Sequence, residues 1–73
     1  MSESIEYPAL YLKRGEDARL RAGHLWVFSN EVDVARSPLA DFEPGQACAI
    51  ADHRGKPLGV GYVNPASLIC ARL

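Results

Sequence analysis

The chain has little with which to build a covalent or metallic staple. Cys48 and Cys70 are its only cysteines in 73 residues, and no Cys-x-x-Cys pair is present. Both lie in apolar runs, so they read as small buried core residues of a reducing compartment. His24 and His53 stand at no metal-ligand spacing from cysteines or carboxylates, so no metal is expected. No stretch approaches the roughly 18 apolar residues of a membrane span. The start, Met-Ser-Glu-Ser-Ile-Glu, lacks the basic and apolar regions of a signal peptide. The expectation is a cytoplasmic protein with no membrane partner.

Catalytic material is equally thin. Ser29 and Ser67 have no base beside them in sequence. Gly59-Val60-Gly61 is followed by Asn64-Pro65 and not by a glycine opening a helix, which excludes a dinucleotide loop, and there is no phosphate-binding P-loop. No acid, base or nucleophile constellation is visible, so no catalytic residue and no bound cofactor are expected in this segment.

What is present describes one small folded domain. Apolar residues make up 48% and charged residues 23%, the composition of a chain with a core. A domain of this length buries only roughly 60% of its unfolded surface, so its stability margin is thin. The net charge of −1 means that any binding to a polyanion must come from a local patch.

Residues 1–8 read as a flexible polar lead and 9–73 as the domain. Ala9 to Lys13 alternates as a first strand. Glu16 to Ala22 reads as a short helix, with Gly15 as N-cap, acids at its start, Arg19 and Arg21 toward its end and Gly23 as the stop. Seven residues do not hold a helix alone, so it must pack on something, with Trp26 and Phe28 the expected anchors. Asn30 to Val34 alternates like a strand, and 36–44 is a loop. Gln46 to Ala51 reads as a strand buried on both faces, Asp52-His53-Arg54-Gly55 as a hairpin turn with His53 solvent-exposed. Pro57 to Val63 alternates, with Leu58, Val60 and Tyr62 on one face. Gly59 and Gly61 on the other leave a track where another backbone can approach, or a bend. Ser67 to Leu73 is a last strand running to the end of the chain, which suggests a domain excised from a longer protein. The fold class is α+β and β-rich, and a partly closed barrel would dispose of the sheet edges.

The stretch Arg21-Ala22-Gly23-His24-Leu25-Trp26-Val27-Phe28-Ser29-Asn30-Glu31 carries the functional signal. Four of the eight lysines and arginines, Lys13, Arg14, Arg19 and Arg21, fall just before or within it. Such cations neutralise phosphates and release counterions. The same charges also suit a solvated helix face that complements the helix dipole. Trp26 admits a stacking role on a base, but its apolar neighbours favour a core anchor. His24 admits a phosphate contact or a structural hydrogen bond.

These residues resemble the N-terminal PUA domain of the class I SAM-dependent ribosomal RNA large-subunit methyltransferases, the cytosine-C5 family. The resemblance rests on Leu10-Tyr11-Leu12-Lys13, on the segment 21–31, on Gly45, on the turn 52–55, and on Leu58 to Ser67 through Ile69 and Arg72. Leu25 stands where the family usually has proline, and Arg14-Gly15-Glu16 departs from its Gly-Arg-Glu order. The resemblance implies a PUA-like pseudobarrel with one short N-terminal helix that binds structured RNA, with ribosomal RNA the expected partner. With the basic segment, this makes Lys13, Arg14, Arg19, Arg21 and His24 the RNA-binding candidates, expected on one face, with Arg72 as a further candidate. The resemblance also implies a SAM-dependent methyltransferase domain beyond this segment as the partner that the RNA is positioned for. Two other classes remain: a protein-interaction module, docking on that methyltransferase domain or on a second copy, and a small stand-alone enzyme, against which stands the missing acid, base and nucleophile.

Overall fold

A computed structural model describes residues 7–73. Residues 1–6 of the expected flexible lead lie outside the described residues. Tyr7 and Pro8 are exposed, and the Pro8 carbonyl already accepts the Ala49 amide at 2.9 Å.

Five strands form one mixed sheet: β1 (Ala9–Tyr11), β2 (Trp26–Phe28), β3 (Gln46–Ala51), β4 (Pro57–Val63) and β5 (Ile69–Arg72). Their order is β1-β3-β4-β5-β2. β1 runs parallel to β3, and the other pairs are antiparallel. The domain is β-rich as expected, but the sheet is not closed into a barrel, which corrects the pseudobarrel expectation. Three-residue strands at both edges are too short to pair along their length. A single bridge, Leu12 to Val32, links the chain beyond β1 to the chain beyond β2.

The turn 52–55 joins β3 and β4 as expected. Asp52 Oδ1 accepts the amides of Arg54 at 2.9 Å and Lys56 at 2.8 Å, and Gly55 takes φ +87°. The core side of the sheet is fixed by a two-residue period. Leu10, Ile50, Cys48, Val63, Ala71 and Val27 are buried there, with Leu12, Val32, Phe42 and Cys70 completing the cluster. Cys48 and Cys70 are free and buried.

Four expectations need correction. β3 is buried on one face only, because Ala47 and Ala49 look outward and are half-buried. Val60 and Tyr62 also face out, while Gly61 is buried: a Cβ there would lie 2.5 Å from the Arg72 carbonyl oxygen. That is the close backbone approach that the two glycines allowed. Leu58 leaves the face of Val60 and Tyr62 because the register shifts beside it, and it packs on the core. Segment 30–34 is no strand: Ser29–Glu31 is a 3₁₀ turn. The fourth concerns His53, which is half-buried, with Nδ1 out of solvent and unpartnered.

Candidate nucleic-acid interface

The helix α1 is shorter than its sequence suggests, spanning Ala18–Arg21 with Asp17 as N-cap in place of Gly15. Its end is well determined. The His24 amide donates to the Arg19 carbonyl and the Gly23 amide to that of Leu20, both at 3.1 Å, and Gly23 takes φ +105°. This reciprocal pair satisfies the last carbonyls and turns the chain into β2. Leu20 packs against the core, which anchors so short a helix.

The six candidate residues separate into distinct places. Lys13 and Arg14 are exposed on the turn after Leu12 and have no carboxylate partner among the described residues. Arg19 lies 3.5 Å from Glu31 and its guanidinium sits 5.4 Å from the Phe28 ring centroid. An open groove of about 540 Å³ runs there between Glu16, Arg19, Phe28, Asn30, Glu31 and Leu68. Arg21 turns toward another element. It bonds Asp17 one turn back and reaches Asp52 at 3.2 Å. Both helix arginines therefore carry an internal counter-charge that competes with any phosphate.

Two carboxylates without a sequence signal organise this region. Glu31 is buried, and its Oε1 accepts the Phe28 amide at 2.8 Å. Asp52 is buried in its turn, and the Lys56 and Arg54 amides with the nearby Arg21 charge hold its carboxyl below the ordinary 3.8. Asp17 is lowered as well, chiefly by its bond from Arg21. The Glu31–Phe28 bond is local, but the pairing of Glu31 with Arg19 and of Asp52 with Arg21 cannot be found locally, since both arginines lie in α1.

Trp26, expected to be largely buried, is 37% exposed on the outer side of β2, and Val27 takes the core position. Phe28 is half-buried and meets the helix through Arg19. The His24 ring meets Trp26 edge-on, with centroids 5.2 Å apart. Arg72 pairs in register with Trp26 on one side and Tyr62 on the other. Tyr62, 64% exposed, is not among the candidates that the sequence offers. Its outward direction follows once the glycine face of β4 is placed inside.

Among the described residues no group of histidine, cysteine or acidic side chains is placed to hold a metal, and no helix is long and apolar enough to cross a membrane.

The PUA-like domain model matches residues 10–73, nearly the whole chain. The chain belongs to the PUA-like domain family. This PUA-like domain is also similar, across its full length, to proteins named ribosomal RNA large subunit methyltransferase I. The relative from Salmonella arizonae is 40% identical over 75 aligned positions. Those from Salmonella paratyphi B and Salmonella newport are 39% identical. In each case the chain covers 18% of the relative's length. The PUA-like domain thus corresponds to a minor part of these longer proteins.

Proposed function

We propose that this PUA-like domain is the RNA-binding module of a SAM-dependent ribosomal RNA large-subunit methyltransferase acting on cytosine C5 in the cytoplasm. It positions ribosomal RNA for a catalytic domain outside these 73 residues. The observation that carries this reading is the 40% identity, over the whole chain, to a protein named ribosomal RNA large subunit methyltransferase I. The cations without internal counter-charge support it. Lys13, Arg14 and Arg72 have no carboxylate partner among the described residues, and phosphate contacts of that kind hold RNA in register without reading its sequence.

The grooves of the described residues are open, and no glycine-rich turn leads from a strand into a helix, so they do not fit SAM. The cofactor belongs, in this proposal, to the catalytic domain.

The test is a titration of the wild type and of Lys13→Gln/Arg14→Gln with a ribosomal RNA stem-loop at two salt concentrations. Wild type should bind weakly and with little selectivity. The variant should bind less, with a salt slope reduced by about 0.9 for each duplex phosphate it no longer neutralises. Absence of binding by the wild type would reject the module and favour docking on a protein partner.

A further inference from the structure

We propose that the outward row Trp26–Arg72–Tyr62 is a stacking platform for unpaired RNA bases, with Arg72 taking the phosphate between them. The proposal rests on the RNA-binding reading and assigns it a surface.

The register makes the row. Tyr62 is opposite Arg72 in β4–β5, and Arg72 is opposite Trp26 in β5–β2. Residues opposite one another share a face, and neighbouring strands lie about 4.8 Å apart. Positions 26 and 62 therefore flank position 72 on one face across three strands. The adjacent row, Val63–Ala71–Val27, is fully buried, which fixes the aromatic row to the outside.

Charge selects the ligand. Arg72 is the single charged side chain in all five strands. Although the chain is net acidic, the strands themselves put one cation and no anion on this sheet face. Arg72 has no carboxylate partner among the described residues. Covering it with an apolar protein surface would bury an unpaired charge at high cost. A phosphate oxygen would instead pair with it through charge-assisted hydrogen bonds.

Shape agrees. The β3 positions opposite Tyr62 and Val60 are Ala47 and Ala49, and Ala9 is opposite Ala49, so the ground beside the rings is low and flat. At the far edge the same face already holds a stacked planar cation, Arg36 at 3.9 Å from the Tyr11 centroid. Base–aromatic stacking tolerates any sequence, so unpaired nucleotides of any kind suit such a platform.

Trp26 is the only tryptophan, so it reports on its own contact. The experiment titrates the 73-residue chain with octauridylate, and separately with a short RNA duplex, following tryptophan fluorescence. Octauridylate should quench Trp26 and the duplex should not. Tyr62→Ala should weaken octauridylate binding about five- to 150-fold, the range of one base–aromatic stack. Tyr62→Phe should bind like wild type, and Arg72→Gln should bind less with a shallower salt dependence. Position 62 is well exposed, and far-ultraviolet circular dichroism verifies that each variant is folded.

Octauridylate binding that leaves Trp26 unquenched, or that Tyr62→Ala does not weaken, overturns the platform. The RNA-binding reading still stands in that case if Lys13→Gln/Arg14→Gln weakens stem-loop binding. A face used for protein docking would show instead as self-association abolished by Tyr62→Ala with RNA binding intact, which also overturns the platform.

Discussion

Glu31 and Arg19 form an ion pair, N to O 3.5 Å, in which the carboxylate is buried and the guanidinium is half-exposed. The other carboxylate oxygen accepts the Phe28 amide at 2.8 Å. One acidic side chain thus closes the turn after β2 and tethers the helix. The exposed half of the pair adds at most about 1 kcal/mol. The amide bond is the larger part, because its loss leaves a part-buried donor without a partner. Glu31→Ala should cost about 1–3 kcal/mol, seen as a lower midpoint in urea denaturation. Glu31→Gln keeps an acceptor, should cost less, and should raise affinity for an RNA stem-loop by releasing Arg19.

The elements set by local chemistry are legible in the sequence. β3 and β4 fall at Gln46–Ala51 and Pro57–Val63, and the turn between them needs only Asp52 and Gly55. Gly23 ends the helix for an equally local reason. Which side of a strand faces inward is not legible. Bulk argues for Val60 and Tyr62 inside, but the Arg72 backbone lies so close to Gly61 that only the glycine face fits there. Leu25 to Phe28 is apolar without interruption, so its alternation has no phase until β5 pairs with β2. Segment 30–34 alternates, yet Glu31 turns back to the Phe28 amide and makes a 3₁₀ turn. The Trp26–Arg72–Tyr62 row joins the β4–β5 hairpin to the distant β2, and its Trp26 end exists only through strand order.

The two glycines of β4 should respond differently to alanine. At Gly61 the new Cβ would meet the Arg72 carbonyl oxygen at 2.5 Å and Ile50 Cδ1 at 3.2 Å. A paired backbone cannot withdraw without opening the β4–β5 ladder. Gly61→Ala should cost about 1–3 kcal/mol or more. At Gly59 the obstacle is Leu73 Cδ2 at 2.9 Å, the end of a flexible and partly exposed side chain. Gly59→Ala should be much milder. Thermal melts of both variants check the contrast, at about 4–8 °C per kcal/mol for a domain of this size.

The thiols should be silent in the native state. Burial raises both, and Cys70 is pushed up to about 11. The thiolate is the reactive form, so neither cysteine should react with a disulfide reagent at pH 8 until the domain opens. Both should react promptly in denaturant. Fast native-state labelling of either would contradict the packing of Cys48 and Cys70.

Arg21 joins α1 to the β3–β4 turn through Asp17 and Asp52, and this junction should set the acid limit of stability. Both carboxyls titrate below their ordinary values, so their charged forms are favoured in the folded state. Their contribution is complete above about pH 5, where the unfolded carboxylates are almost fully ionised, and is lost as pH falls through the lowered folded values. Asp52→Asn should therefore melt lower than wild type near neutral pH. The gap should narrow as pH falls from about 5 toward 2, because wild-type Asp52 then takes up a proton too. On sequence alone, glutamate at 19 and 21 is expected to leave folding little changed. Arg21→Glu would instead bring a third carboxylate against Asp17 and Asp52. It should melt below Arg21→Gln, and added salt should recover part of the difference by screening. Equal melting of the two variants at low salt would show that Arg21 acts at this junction by packing and not by charge.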